Sequence, residues 1–196
     1  MQPVIDWDAI RNATVGVKSA KTQGGFYLLP TLIWQHQADV VIEIGVEYGY
    51  TTAIIAATLA QLFGKPRMLS VDKSKRGYDC GTRIMGEHPK VRGLVLQSMS
   101  ADVDYQERLR DVGARAAKVI YVDGCHTREA VEADIDATLP ALASDGVYVF
   151  HDYIARFGVA EAVYDRFADS AEWNVFIIRV PLGMPFAIVQ RHCEPL

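Results

Sequence analysis

Each of the first five short apolar runs in this chain stops at residues able to do chemistry. Val40–Ile44 carries Glu43 and runs into Gly45 and Gly49; Arg67–Val71 stops at Asp72; Val91–Leu96 stops at Gln97 and Ser98. Lys118–Val122 stops at Asp123, with His126 three residues on, and Gly146–Phe150 stops at His151–Asp152. A carboxylate accepts hydrogen bonds at two oxygens, an imidazole takes or releases a proton near neutral pH, and both ligate divalent metals. Acids at buried strand ends cost stability unless something uses them. Glu43 lies inside its run, so its charge needs a partner there, and a ligand with a cationic head would supply one.

The elements that must position these groups can be read from periodicity. Val40–Ile44 is short and rich in β-branched residues, the pattern of a buried parallel strand. Gly45 and Gly49 then mark a turn, Thr51 or Thr52 offers an N-cap, and Ala53–Leu62 reads as a helix. Glycines let backbone approach a ligand closely, and a helix start presents unpaired N–H groups, so the unit is a ligand cradle. Its spacing is Gly-x-x-x-Gly rather than Gly-x-Gly-x-x-Gly, so the dinucleotide fingerprint is not met.

The same pattern recurs along the chain. Phe26–Gln37 has helical spacing, with Pro30 expected near its first turn. Lys73–Gly81 reads as a loop and helix start that Thr82–Glu87 continue, and helices are also expected over Tyr105–Val112, after a Thr127 cap, and over Val159–Ala168. Asn174–Val180 and Met184–Gln190 then alternate as strands around Pro181-Leu182-Gly183, a hairpin. Strands alternating with helices give a Rossmann-like, doubly wound, mostly parallel α/β sheet of seven strands, to which the terminal hairpin adds an antiparallel edge. In such sheets ligands bind beyond the carboxyl ends of the strands, where the polar set above falls.

The chain has 196 residues, which suits one domain, 1–196, with residues 1–23 as an N-terminal arm or lid. A net charge of −4 without a basic stripe argues against nucleic acid as a partner. No apolar stretch is long enough to span a bilayer, and the first residues lack an apolar signal core, so a cytoplasmic protein is expected. Cys80, Cys125 and Cys193 lack metal spacing and read as free thiols. His36 and His88 fall at helix ends, and Trp34 and Trp173 read as packing residues.

Taken in order, VIEIGVEYGYTT, LSVDKS and VIYVDGCHTREAVEADIDATLPALASDGVYVFHDY resemble a class I S-adenosylmethionine-dependent methyltransferase. The last segment resembles the small-molecule O-methyltransferase group that includes macrocin O-methyltransferase and cephalosporin-hydroxylase-like proteins. The resemblance implies S-adenosylmethionine as cofactor and a small-molecule hydroxyl as acceptor. It places Gly45 and Gly49 beside the methionine part, with Glu43 near its amino group or orienting the glycine turn. It places Asp72 on the ribose hydroxyls, Ser98 beside the adenine and Asp123 near the sulfonium. Related enzymes are often oligomeric, so it also points to a homo-oligomer.

In several members of that group, acids after the fourth and fifth strands hold Mg²⁺, which here implies Asp123 and Asp152. His151 departs from the all-carboxylate pattern, and imidazole suits zinc, iron or manganese better than magnesium. Two arrangements stay open: Asp123 and Asp152 hold a metal with waters, or no metal is held and His151 acts as a base. His126 is open between orienting Asp123, contacting substrate and capping the next helix. Two other functions compete. One is a catalytically degenerate methyltransferase fold serving as a binding or scaffold protein. The other is an NAD-dependent oxidoreductase using Asp72 on a ribose, against which the glycine spacing stands.

Overall fold

A computed structural model of the protein describes residues 4–17, 25–62, 64–154, 157–179 and 183–192. The described strands are β1 Val40–Ile44, β2 Arg67–Asp72, β3 Arg92–Gln97, β4 Ala117–Val122, β5 Leu142–Phe150, β6 Trp173–Ile178 and β7 Phe186–Arg191. They form one sheet in the order β3-β2-β1-β4-β5-β7-β6. The first five run parallel, and β7 pairs antiparallel with both β5 and β6. The expected Rossmann-like sheet with an antiparallel terminal hairpin is therefore the observed one. The described helices are α1 Trp7–Ala13, α2 Gly25–Gln35, α3 Tyr50–Leu59, α4 Lys75–Glu87, α5 Tyr105–Asp111, α6 Arg128–Thr138 and α7 Gly158–Val163.

Strand side chains alternate between two covered faces, which is why the central runs are apolar throughout. Val40, Ile42 and Ile44 join Ile120, Val122, Tyr148 and Phe150 under α5, α6 and α7. Val41 joins Val119, Tyr121, Val147 and Val149 under α2, α3 and α4. The chain passes from β1 outward to β2 and β3, then returns to place β4 on the other side of β1. That reversal opens a crevice at the carboxyl ends of β1 and β4, and the polar set falls there. The arm resolves into α1, whose Ile10 packs on Phe26, Ile54 and Ala57. No described residue of the arm lines the crevice.

Several local expectations give way to packing. Pro30 stands inside α2 rather than in its first turn, so the helix forgoes one backbone donor there. Helix α3 begins at Tyr50 with Gly49 as its left-handed cap (φ +83°), a residue with no side chain to cap it. Helix α4 extends over 13 residues because its apolar face, including Gly81 and Ile84, is buried although its mean character is polar. After α7 the chain continues as a π-helical segment, Tyr164–Ala168, that buries Phe167. The hairpin turn at Pro181-Leu182, the break at Gly24 and Cys193 lie outside the described residues.

Thr52 is drawn away from capping by Glu43. The side chain of Glu43 is on the α3 face of β1, fully buried. Thr52 Oγ1 donates to Oε2 at 2.9 Å, and Ser70 Oγ, on the residue paired with Glu43 across β2, donates at 2.8 Å. Burial pushes the Glu43 pKa up to about 8, against the lowering effect of these two hydroxyls. The acid is therefore mostly protonated at neutral pH, and hydroxyls plus a proton supply what a cationic ligand was expected to supply.

A folded pKa above the unfolded value means the stabilising effect is complete below about pH 4.5 and is lost as pH rises through about 8. Glu43→Gln removes the ionisation while keeping an acceptor for Thr52 and Ser70. Thermal unfolding should show the variant more stable than wild type at about pH 9, by a margin that vanishes near pH 5. Equal melting curves at both pH values would contradict a buried neutral acid.

Candidate active site

The crevice is a cleft of about 540 Å³. One wall is the glycine turn Gly45–Tyr48 with Thr51; the floor is Asp72–Ser74 and the loop Ser98–Ala101; the far end is Asp123–His126 with His151 and Asp152. Of the predicted residues, Gly45, Asp72, Ser98, Asp123, His126, His151 and Asp152 line it, and Glu43 and Gly49 do not. Glu43 is walled off beneath α3. Gly49 is required by its left-handed φ and by packing, since a Cβ there would lie 2.2 Å from the Ile84 Cδ1.

Gly45 does line the cleft, but its first constraint is also internal. It has φ +89°, and a Cβ would stand 2.1 Å from the Asp123 carbonyl oxygen. Backbone bonds continue past the strand ends: Gly45 N donates to Val71 O, Asp123 N to Ile44 O, and His151 N to Val122 O. These bonds place Gly45, Asp123 and His151 side by side.

Asp72 is saturated by the protein. Its Oδ2 accepts from the backbone N–H groups of Val46 and Glu47, each at 2.9 Å. Its Oδ1 accepts from the N–H and the hydroxyl of Ser74, each at 2.7 Å. Burial opposes ionisation, but the donors from Glu47, Ser74 and Val46 win and hold the carboxyl below its ordinary pKa. A carboxylate has about four acceptor positions, and these donors occupy them. Asp72 thus ties the glycine turn, where Glu47 takes φ +51°, to Ser74, the N-cap of α4. Gly77 makes room for it, since a Cβ there would be 2.2 Å from Asp72 Cγ. A ribose diol reaching Asp72 would share oxygens already engaged.

At the far end two carboxylates and two imidazoles cross-brace. Asp123 Oδ1 lies 3.1 Å from His151 Nδ1 and 3.4 Å from His126 Nε2. His126 Nε2 is also 3.5 Å from Asp152 Oδ2. Tyr121 donates to Asp123 Oδ2 at 3.0 Å. Asp123 is held below its ordinary pKa because His126 and His151 outweigh burial. His126 is raised, first by its hydrogen bond to Asp123. His151 is raised too: burial works against its charge, but Asp123 and Asp152 prevail.

The two histidines differ in access. His151 is 5% exposed, packs on Phe186 with ring centroids 4.9 Å apart, and buries Nε2 with no hydrogen-bond partner among the described residues. His126 is half-buried at the cleft end, its ring against Phe157 at 5.0 Å. Thr127 caps α6 as expected. The glycine at 158 lets α7 abut the Thr127–Arg128 backbone, and its N–H donates to His126 O, which fixes the loop.

Asp152 carries the marks of a ligand-holding position. It is non-glycine at φ +55°, and its buried Oδ1 has no hydrogen-bond partner among the described residues, although His151 Nδ1 is 3.2 Å away. Asp123, His126 and Asp152 each offer a donor atom within 4.8 Å of the others. Two carboxylates and an imidazole fit a divalent ion, with manganese, iron or zinc favoured over magnesium. The sequence reading missed Ser74, Gly77 and Tyr121, which act on the site through Asp72 and Asp123, and Ser100 and Asp134, which line the cleft.

A family model described as a methyltransferase domain matches residues 42–153, more than half the chain. This protein belongs to that family. Among solved structures, the methyltransferase is similar to an O-methyltransferase from Bacillus cereus in complex with S-adenosylhomocysteine. There the TM-score is 0.70 at 13% identity, over 97% of this chain and 92% of that one. It is similar also to the O-methyltransferase TomG from Streptomyces achromogenes, involved in tomaymycin synthesis and solved with S-adenosylmethionine. That match has a TM-score of 0.70 at 14% identity, again over 97% and 92% of the chains. No curated protein sequence matches the chain.

Asp72→Asn separates bracing from ribose binding. It turns an N–H₂ toward backbone donors, so the ligand-free protein should lose about 1–3 kcal/mol of stability. Chemical denaturation without ligand measures this. An unchanged midpoint would return Asp72 to a ligand-only role.

Proposed function

We propose that the cleft binds S-adenosylmethionine and that the enzyme methylates a hydroxyl of a small molecule. The observation that carries this reading is the convergence at one crevice of a glycine turn, an acid after β2 and Asp123 after β4 within a methyltransferase-family chain. The two solved O-methyltransferases noted above support it by their bound cofactors. When bound, the cofactor supplies an electrophilic methyl with its own leaving group, so the protein need not provide a nucleophile. Its work is positioning and proton removal. Among the described residues no helix is long and apolar enough to cross a membrane, and we place the enzyme in the cytoplasm.

Gly45 and the turn to Tyr48 hold the amino-acid end, and Ser98–Ala101 the base. Asp123 is kept ionised by its three hydrogen-bonding neighbours, His126, His151 and Tyr121, so it can face a cationic methyl donor. Acceptor activation falls to the Asp123–His126–Asp152 group. A divalent ion there would be held by those three residues and would lower the acceptor's pKa. With no ion, His126 is the imidazole open to the cleft and takes the proton, while His151, buried, orients Asp123. The base role left open for His151 therefore passes to His126 in this reading.

Calorimetry with S-adenosylhomocysteine should detect binding by wild type, His126→Ala and His151→Ala alike. With a panel of small hydroxyl acceptors, His126→Ala should lower turnover roughly 10²–10⁴-fold. Chelation followed by Mn²⁺ tells whether it acts as ligand or base. Full turnover of His126→Ala would remove it from acceptor activation. Absence of any cofactor heat in wild type would overturn the reading itself.

A further inference from the structure

Strand β6 stands at the end of the sheet, paired with β7 alone among the described residues. It carries two neighbouring apolar side chains that water still reaches, Phe176 at 52% and Ile177 at 44% exposure. Successive strand residues face opposite ways. Val175 packs against the core under α5, α6 and α7, so Ile177 shares that face. Ile178 packs against the core under α2, α3 and α4, so Phe176 shares that one. A partner laid on either face would cover one of the two and leave the other in water. A strand added at the edge covers both.

The backbone is set to receive such a strand. Just past the end of β7, His192 N–H donates to Glu172 O. Backbone groups of an antiparallel strand alternate in direction, so Asn174, Phe176 and Ile178 turn theirs to β7, and Val175 and Ile177 turn theirs outward. Sheet edges are ordinarily guarded by lysine, proline or a bulge. The β6 sequence, Trp-Asn-Val-Phe-Ile-Ile, has neither residue, and its six pairs with β7 run without a shift. The opposite edge, β3, begins instead with exposed Arg92 and Gly93 and has no exposed large apolar side chain.

We propose that β6 pairs antiparallel with β6 of a second copy of this chain, about a two-fold axis at Phe176. Only outward-facing residues can exchange backbone bonds, so Val175 lies opposite the partner's Ile177 on one face, and the two Phe176 rings meet on the other. A shift of one step sets Phe176 against Asn174, and a shift the other way sets Val175 against Arg179. The self-match of this one register selects a second copy as the occupant. Phe176 and Ile177 from two copies bring roughly 300–400 Å² of exposed apolar surface. With the paired backbones that makes a small interface, below about 1,200 Å², the size of a reversible complex. The pairing stands independently of the cofactor reading.

Sedimentation of the wild-type protein should show monomer and dimer in exchange, with a Kd on the order of 1–100 µM. Ile177→Pro removes an outward N–H and no bond to β7, so it should weaken the dimer at least about 10-fold with an unchanged circular-dichroism spectrum. Phe176→Cys brings two thiols face to face, with Cα atoms about 4.5 Å apart, within the span of a disulfide. Mild oxidation should therefore link this variant into a covalent dimer. Asn174→Cys, opposite the partner's Ile178, should stay at the wild-type background. A protein that remains monomeric throughout this concentration range would overturn the proposal. So would a dimer that Ile177→Pro leaves as tight as wild type, or cross-linking as efficient through Asn174→Cys as through Phe176→Cys.

Discussion

Gly45 has no side chain, and a Cβ in its place would stand 2.1 Å from the Asp123 carbonyl oxygen. The close contact of these two strand ends is the constraint on which the rest of the site depends. It lets the turn after β1 and the loop after β4 share one crevice, with Asp123 N–H bonded to Ile44 O. From that junction Asp123 reaches His126, His151 and Tyr121, and Asp72 braces the turn from the other side. The sheet reversal creates the crevice; the glycine decides that protein rather than empty space adjoins the acid.

The site is assembled against local stability. Asp152 takes a left-handed backbone and, among the described residues, its buried Oδ1 and the buried Nε2 of His151 have no hydrogen-bond partner. Glu47 is held at positive φ in the turn, where Asp72 accepts from its N–H. Glu43, beneath the turn, stays neutral by burial and pins α3 to β1 and β2 through Thr52 and Ser70. These residues are fixed by a well-packed sheet whose two faces are both covered, and that rigidity is what permits unsatisfied groups at its edge.

The strands and their polar ends were legible in the sequence, because buried parallel strands are continuous apolar runs and their stops are abrupt. The crevice followed from topology. What could not be read was which neighbour each polar residue would choose. Glu43 looked like a ligand contact because its strand face is set by period alone, whereas its burial depends on α3 packing over it. Thr52 looked like a cap because Gly49 hides its left-handed turn until φ is known. The bracing of Asp72 could not be read because its donors, Val46, Glu47 and Ser74, reach it only after the turn folds back. Ser100 and Asp134 are 34 residues apart, and only the packing of α6 brings them together. Pro30 and the π-helical segment after α7 likewise reflect tertiary packing overriding local preference.

The central claim is that one crevice, organised by the Gly45–Asp123 contact, holds the methyl donor with its reactive end toward the acid–histidine group. A crystal structure with S-adenosylhomocysteine tests this directly. The account predicts the homocysteine part between Gly45 and Asp123, the sulfur facing His126 and Asp152, and the adenine between Ser98–Ala101 and α6. A ligand bound outside this crevice, or bound with its adenine against His126 and Asp152, would contradict it.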